Sequence, residues 1–390
     1  MQPIQKTAAI KRVMDLIAIP GKSCEESSVS EWIQAELTKS GIPASAISID
    51  TAHKRSPSGG ETGNLIVKLP GTVKQPRRLL MAHMDTVPLA VGCKPIRSGD
   101  TIRPASATTA LGGDNRAGCA VVLTAISEIL RQKLPHPPLT LLFTVQEEIG
   151  LRGARYLTAS KLGKPEHCFN WDGRDPASLT IGAVGATYVQ IEVAGIPSHA
   201  GVHPEQGVNA GIIAAIALAD LQQNGWHGLV EKGKKRGTSN LGVIHGGSAT
   251  NVVMPEVSIQ AETRSHDSAF RDRIAGEFRK AFNRAAKQVK TSTGQTGTFS
   301  LDEDVRYEAF RINETTACVK LAAEAVAACQ LSPQTIIGNG GLDANWMTAH
   351  GFPTVTLGCG QHNIHTVDET LDVPEFLTAC QVATQLTASV

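Results

Sequence analysis

The 390-residue sequence predicts an α/β protein in which helices flank a central mixed sheet and a smaller α+β domain is inserted. Apolar, strand-like stretches alternate with helix-length segments up to residue 183 and again from residue 309, as in a sheet covered on both faces. Residues 184–308 instead contain cleanly alternating strands, typical of a half-exposed antiparallel sheet. We therefore expect an α/β domain split into residues 1–183 and 309–390, with residues 184–308 as the inserted domain.

The first part of the split domain should begin with two amphipathic helices, TAAIKRVMDLIA and EESSVSEWIQAELTKSG, the second of which is ended by Gly41. A later helix is predicted in RAGCAVVLTAISEILRQK, which has helical periodicity and length. The predicted strands are GNLIVKLPG, RRLLMAHMD, LTLLFTVQEE and HCFNWDG. This order indicates a parallel or mixed sheet.

The inserted domain has the predicted order β-α-β-β-α-β. Its segments are ATYVQIEVAG, GVNAGIIAAIALADLQQ, SNLGVIHGG, VSIQAETRS, a charged helix near 268–290 and GTFSLDEDVRY. After it, the α/β pattern returns with a helix (TTACVKLAAEAVAACQ), a strand (TVTLGCG) and a terminal helix (VPEFLTACQVATQLTASV).

The composition and charge of the chain argue against several classes of function. With 37 basic and 36 acidic residues the chain has no charge excess that would favour nucleic acid or an anionic membrane. No apolar run approaches a membrane span, and the N-terminus lacks the features of a signal peptide. The 8 cysteines form no C-x-x-C pair, so we expect reduced thiols and a cytoplasmic location.

The stretch LLMAHMDTVP suggests the chemistry. An apolar strand ends at His83, and Asp85 follows on the same face because strand side chains alternate. Ligands bind at the carboxyl ends of strands in open α/β sheets. The pair therefore suits a metal-bound imidazole steadied by a carboxylate.

Further acids and histidines stand at other predicted strand ends or in loops. They are Asp114 in LGGDNRAG, Glu147 and Glu148 in VQEEIG, Asp172 in NWDG, and His362 and His365 in QHNIHTVDE. Together with His83 they supply about the number of ligands that two zinc-like cations sharing one carboxylate would need.

Other catalytic motifs are excluded. The sequence PGKS suggests a phosphate loop, but Leu16 stands where that motif needs a glycine. Neither H-E-x-x-H nor G-x-S-x-G occurs, which removes the zincin and serine-hydrolase interpretations.

The ordered motifs HxD, GGDNRAG, EE, D and H resemble the dinuclear metallopeptidase family of peptidase T, acetylornithine deacetylase and succinyl-diaminopimelate desuccinylase. The resemblance covers the whole chain. It is strongest to the peptidase T-like branch in GIPSHAGVHPEQGVNA, GGSATNVVMPE, ETRSHD, GGLDANW and IHTVDE.

The resemblance implies a role for each matching residue. One metal would be held by His83, Asp172 and an oxygen of Asp114, and the second by Glu148, His365 and the other Asp114 oxygen. Asp85 would orient His83, Glu147 would be the general base, and the Asp114–Asn115 peptide would be cis. His365 is preferred to its rival His362 because TVDE follows it.

For the substrate, the resemblance implies that His199 of the inserted domain serves the partner subunit's site in a homodimer. Asn251 and Arg264 would hold the substrate, and Gly341 and Asn345 would line its pocket. The expected activity is that of a tripeptide aminopeptidase using two divalent ions, with zinc as the expected metal and cobalt or manganese as alternatives. A deacylase or carboxypeptidase acting on N-acyl amino acids or dipeptides is the alternative within the family. A non-catalytic binding protein would be expected to lack Glu147 or several ligands, and none is missing.

Overall fold

The computed structural model describes residues 1–388. By its internal contacts the chain divides into a first unit, Met1–Ala183 together with the chain from Phe310 onward, and a second unit, Val184–Ala309.

The helices and strands are as follows in chain order. Residues 1–183 contain helices α1 (Lys6–Ile17), α2 (Ser27–Lys39), α3 (Ala52–Arg55), α4 (Gly113–Gln132) and α5 (Arg152–Arg155), and strands β1 (Ile47–Ile49), β2 (Leu65–Leu69), β3 (Arg78–His83), β4 (Pro95–Ser98), β5 (Thr101–Pro104), β6 (Leu139–Thr144), β7 (His167–Gly173) and β8 (Ser178–Ala183). Residues 184–309 contain β9 (Gly185–Ala194), α6 (Ala210–Gln223), β10 (Gly228–Lys232), β11 (Lys235–Gly246), β12 (Glu256–Ser265), α7 (Ser268–Gln288) and β13 (Thr298–Tyr307). The remaining described residues contain β14 (Phe310–Arg311), α8 (Ala317–Ala328), β15 (Gln334–Gly338), α9 (Ala344–Ala349), β16 (Thr354–Gly358), β17 (Gln361–His362), β18 (Thr370–Asp372) and α10 (Val373–Thr387).

The main sheet of the first unit has the strand order β1-β2-β6-β3-β7-β16-β8-β14, with β15 paired to β8. Its middle, β6-β3-β7-β16, is parallel, whereas β2 joins β6 and β8 joins β16 in antiparallel pairs. The sheet is therefore mixed, and the expected α/β class with a central mixed sheet flanked by helices is confirmed.

Strand β3 is buried on both faces, which explains its continuous apolar sequence. Leu80 and Ala82 belong to a large core that also contains residues of α1, α2, α4, α8 and α10, whereas Leu79 and Met81 pack on the opposite side with Leu157. A hydrophobic strand in this position is held rigidly at its carboxyl end, where His83 lies.

The second unit is an antiparallel sheet with the order β10-β11-β12-β9-β13, and its apolar face packs against α6 and α7. Both helices have side-chain caps: Asn209 accepts from Ile212 N–H, and Asp267 accepts from Phe270 N–H. The order differs from the expected β-α-β-β-α-β by one strand, β10. This strand was missed because GLVEK is short and only Val230 is buried.

Other differences involve short elements. The first unit has a small sheet, β17-β18-β5-β4, and short strands such as β14 that the periodicity did not indicate. The terminal helix was expected to reach residue 390; α10 ends at Thr387, and residues 389 and 390 lie outside the described part. Within residues 1–388, the helices lack the combination of length and apolar character that crossing a bilayer requires.

Candidate metal centre

The parallel strands of the main sheet bring the proposed ligands to one edge. His83 is the last residue of β3, Asp172 lies near the end of β7, and Glu147 and Glu148 follow β6. His365 lies in the loop between β17 and β18, after β16. Because the carboxyl ends of parallel strands share an edge, residues far apart in sequence meet there.

Asp114 reaches this edge from the start of α4. Gly112 has φ 75°, and Asp114 and Asn115 depart from helical geometry, so the regular helix begins at Arg116. The Asp114–Asn115 peptide is cis, as the resemblance implied. Asn115 joins the turn to β7, since its Nδ2 donates to the Trp171 carbonyl at 2.6 Å and its Oδ1 accepts the Gly118 N–H at 3.0 Å.

A glycine allows α4 to approach β7 closely. A Cβ atom on Gly118 would stand 2.2 Å from the Trp171 carbonyl oxygen. Real side chains do not tolerate such a contact, so the helix that carries Asp114 can lie against the Asp172 strand only with glycine there.

Asp114 stands between the two histidines. Its Oδ1 is 3.2 Å from His83 Nε2, and its Oδ2 is 3.2 Å from His365 Nε2. On one side Asp172 Oδ1 is 3.5 Å from His83 Nε2, and on the other Glu148 Oε2 is 3.0 Å from His365 Nε2. The two carboxylate oxygens of Asp114 therefore face different imidazoles.

This arrangement produces overlapping donor groups. In each group the potential ligand atoms lie within 4.8 Å of one another. Among residues 1–388 the groups are His83–Asp114–Asp172, Asp114–Glu148–His365 and His83–Glu147–Glu148. The first two share Asp114 and combine imidazole with carboxylate, a donor set that suits zinc and similar divalent ions. The residues therefore fit two cations with a shared carboxylate.

Asp85 is buried and supports several of these groups at once. His83 Nδ1 lies 3.1 Å from the Asp85 carbonyl oxygen and 3.4 Å from its carboxylate. The same carboxylate accepts the N–H of Glu147 at 3.0 Å and of Glu148 at 3.2 Å. Asp85 thus contacts the imidazole and also fixes the backbone of the Glu147–Glu148 pair.

Carboxylates outnumber imidazoles in this cluster, and burial together with neighbouring negative charge raises the pKa of several of the acids. Burial raises the pKa of Glu147 well above its usual value, and the nearby charges of Asp172 and Glu148 act in the same direction. Burial likewise raises the pKa of Asp172 to about 6 and of Glu148 to about 7. Hydrogen bonds with Asp114 and Glu148 raise the pKa of His365 to about 10. Bound cations would supply the positive charge that stabilises the ionised form of these carboxyl groups.

Two buried acids near the cluster were missed by sequence reasoning. Glu369 accepts the N–H of Gly112 at 2.8 Å and of Asp114 at 3.0 Å, so it holds the turn that presents Asp114. Asp343 accepts a hydrogen bond from Thr144 at the end of β6. Both stand inside quoted motifs, TVDE and GGLDANW, but spacing alone did not separate them from their neighbours.

The structure separates the two histidines of QHNIHTVDE. His365 contacts Asp114 and Glu148, whereas His362 Nε2 lies 2.6 Å from Glu375 Oε2 in the first turn of α10. His362 therefore has a partner of its own outside the donor groups.

Gly341 and Asn345 lie in the segment that leads into α9. Asn345 is buried, and its amide oxygen accepts the Leu342 N–H at 3.0 Å, which shapes the turn itself. Gly341 is half-buried.

Three other residues expected to act on substrate belong to the second unit. His199 is exposed, accepts the Gly201 N–H on its Nδ1 at 3.2 Å and forms an isolated bridge with Val252, next to Asn251. Arg264, in β12, directs Nε and Nη2 to the two carboxylate oxygens of Glu262, each at 3.0 Å. The guanidinium group of Arg264 is therefore already paired with a carboxylate.

Comparison with known proteins agrees with this geometry. The model of peptidase family M20/M25/M40 matches residues 79–389. A tripeptidase from Staphylococcus aureus subsp. aureus mu50 is 30% identical, with a TM-score of 0.88 and 99% of each chain covered. An aminopeptidase PepT from Bacillus cereus ATCC 10987 is 28% identical, with a TM-score of 0.85 and 98% of each chain covered. Peptidase T of Vibrio cholerae serotype O1 is 24% identical over 360 residues, which are 83% of this chain and 84% of that protein.

The family match spans most of the chain, and the two solved structures are similar over nearly their whole lengths. The donor groups at the strand ends, the mixed sheet and the comparisons therefore lead to one identification: the chain belongs to peptidase family M20/M25/M40 and is a metallopeptidase of its peptidase T-like branch.

Proposed function

We propose that the protein is an exopeptidase of the tripeptidase kind, which removes the N-terminal residue from short peptides. The observation that carries this proposal is the pair of donor groups sharing Asp114, with Glu147 beside them. The similarity to a tripeptidase and to an aminopeptidase supports the substrate class.

In this proposal one ion is held by His83, Asp172 and Asp114, and the other by Asp114, Glu148 and His365. When bound, a pair of divalent ions of this kind lowers the pKa of a shared water toward about 7 and polarises a carbonyl. Zinc is the proposed ion, with cobalt or manganese as substitutes.

Glu147 is the proposed general base. It accepts a proton from the attacking water and delivers that proton to the leaving amine, so the peptide bond is cleaved without a covalent enzyme intermediate. Its position supports this role, because a carboxylate oxygen of Glu147 lies within 4.8 Å of potential ligand atoms of His83 and Glu148. Asp85 fixes the Glu147 N–H and the His83 imidazole, and therefore acts by positioning both groups.

The second unit would complete the site. We propose that His199 donates a hydrogen bond to the developing oxyanion of the partner subunit's site in a homodimer. Asn251 and Arg264 would bind the substrate, with Arg264 forming a two-pronged contact to its free carboxylate, and Gly341 and Asn345 would contribute to the pocket. We also propose a cytoplasmic location.

A substrate panel tests the proposal. The protein, loaded in turn with Zn²⁺, Co²⁺ and Mn²⁺, would be given unblocked dipeptides, tripeptides and tetrapeptides, and N-acetyl amino acids. Unblocked tripeptides should be cleaved fastest, with release of the N-terminal residue, and chelation should abolish the reaction. Faster cleavage of N-acetyl amino acids than of every tripeptide would instead assign the protein as a deacylase with the same metal chemistry.

A further inference from the structure

The segment Gly21–Glu26, with the sequence GKSCEE, lies between α1 and α2 and is called the strap below. It contains the end of the PGKS stretch, which has no role in the proposed chemistry. Yet the strap contacts two of the chain segments that carry acids of the cluster, those of Asp85 and of Glu147. Lys22 forms an isolated parallel bridge with Thr86, next to Asp85.

Glu26 connects the strap to the residue before Glu147. It is fully buried, and its Oε1 accepts the N–H of Gln146 at 3.0 Å and of Cys24 at 2.9 Å. Gln146 has φ 56°, a left-handed conformation that is uncommon for a residue with a side chain. The Gln146 side chain is itself held, since Ser56 donates to its Oε1 and its Nε2 donates to the Gly59 carbonyl. The backbone leading into Glu147 is therefore fixed from several directions.

A helix-capping role does not explain why the Glu26 carboxyl is buried. The residue occupies the N-cap position of α2, where an acid ordinarily accepts N–H groups of its own helix, but its side chain makes no such bond. Its second oxygen, Oε2, has no hydrogen-bond partner among residues 1–388. A half-satisfied buried carboxyl lowers stability relative to a packed apolar side chain, so packing alone does not account for Glu26.

Ser23 provides the second connection. Its hydroxyl donates to Asp85 Oδ2 at 2.6 Å, and the same carboxylate accepts the N–H groups of Glu147 and Glu148. Gly21 anchors the start of the strap, because its carbonyl accepts from the buried Arg116 at 3.0 Å and from Thr86 N–H at 3.2 Å. A Cβ atom on Gly21 would stand 2.7 Å from Arg116 Nη2 and 2.8 Å from a Val29 methyl group, so these side chains would have to shift to admit one.

We propose that the strap is a positioning element of the active site, in which Glu26 and Ser23 set the backbone that presents Glu147 and Glu148. The inference rests on the proposed function for its catalytic consequence, but its structural consequence, correct placement of Glu148 for metal binding, does not depend on which substrate is cleaved.

The test compares substitutions in the strap. Glu26→Ala removes the acceptor, whereas Glu26→Gln keeps an amide oxygen that can accept from Gln146 and Cys24. Ser23→Ala removes only the bond to Asp85. Glu25→Ala is the matched control, because Glu25 is an exposed acid of the same segment that pairs with Lys22. Each variant is measured for kcat and KM on the best peptide, for Zn²⁺ affinity by chelator competition, and for thermal unfolding.

Glu26→Ala should lower kcat roughly 10- to 100-fold, the effect of a small misplacement of catalytic groups, with KM changed by less than about threefold. Its Zn²⁺ affinity should also fall. Glu26→Gln should recover kcat to within about threefold of wild type, and Glu25→Ala should match wild type. A kcat within about twofold of wild type in Glu26→Ala, or a Glu26→Gln protein as impaired as Glu26→Ala, overturns the proposal.

If Glu26→Ala does not fold, Ser23→Ala decides, and unchanged kcat and Zn²⁺ affinity in that variant count against the strap. If the wild-type protein cleaves no peptide, the proposed function fails, and Zn²⁺ affinity alone then tests the strap. Weaker Zn²⁺ binding by Ser23→Ala than by Glu25→Ala supports it, and equal binding overturns it.

Discussion

The donor cluster of the first unit and the proposed substrate residues of the second unit are organised in different ways. Asp114 is buried, Glu148 is half-buried, and their carboxylates face His83 and His365 at hydrogen-bonding distances. In the second unit His199 is exposed and Arg264 is engaged by Glu262. The carboxylates and imidazoles of the first set face one another, whereas in the proposed function the second set would exchange its present partners for substrate.

The two sets of residues also differ in the contacts that hold them in place. Cluster residues are held by acids from distant segments, as Asp85 holds Glu147 N–H and Glu369 holds Asp114 N–H. The second-unit residues have neighbours in sequence or on the next segment as partners, such as Gly201 for His199. Rigid support is what catalytic placement requires, and local support is compatible with a residue that moves on binding.

The largest effect is expected inside the cluster. Glu147→Gln should retain both metal ions and lower kcat roughly 10²- to 10⁴-fold, because the amide cannot accept a proton. Glu148→Gln should instead weaken the site that contains Asp114 and His365. Metal analysis by mass spectrometry with parallel kinetics checks both. Loss of an ion from the Glu147 variant, with both retained by the Glu148 variant, would reverse the two assignments.

The next largest effect is expected from a substitution in the second unit. His199→Ala should lower kcat roughly 10²- to 10³-fold, as removal of one oxyanion donor does, while leaving metal content unchanged. If the histidine serves a partner's site, mixing His199→Ala with Glu147→Gln chains under exchange conditions should restore part of the activity, because a mixed dimer contains one complete site.

Full activity of His199→Ala alone, or a monomeric active enzyme by light scattering, contradicts this assignment. A mixture of wild-type chains with chains that carry both substitutions is the control for subunit exchange. Only dimers of two wild-type chains then have complete sites, so the activity has a calculable value for random assortment.

A smaller effect is expected from the support around Asp114. Glu369→Gln replaces one acceptor oxygen with an NH₂ group that faces a backbone N–H, so metal affinity or activity should fall about 10- to 100-fold, as for other partners that orient ligands. The exposed neighbour Asp368 offers the matched control, Asp368→Asn. Chelator competition measures the change, and equal metal affinity in the two variants would remove Glu369 from the site.

Much of the cluster could be predicted because it follows a rule of the fold. Apolar strands ending in His83, Glu147 and Asp172 place these side chains at one edge of a parallel sheet, whatever the details of packing. The supporting contacts do not follow such a rule. Glu26 and Gln146 are 120 residues apart, and Glu369 and Asp114 are 255 apart, so their hydrogen bonds depend on how loops approach one another.

In the second unit, the prediction of strands from the sequence meets the same limit. Long alternating segments such as β9 and β12 were predicted close to their observed bounds. Strand β10 was not, because a short segment pairs with β11 through backbone bonds while four of its five residues remain outside the core. Backbone pairing of this kind leaves little trace in hydrophobic periodicity.

The smallest predicted effect tests whether Arg264 can exchange its partner. Arg264→Lys should lower kcat/KM for an unblocked tripeptide about tenfold, the worth of one charge-assisted hydrogen bond, because an ammonium cannot form the two-pronged contact. The same substitution should have little effect on the corresponding tripeptide amide, which lacks the carboxylate. Glu262→Gln removes the competing charge, so it should lower KM for the tripeptide and leave KM for the amide unchanged. Equal losses on both substrates in Arg264→Lys would mean that the guanidinium supports β12 through Glu262 and does not bind the substrate carboxylate.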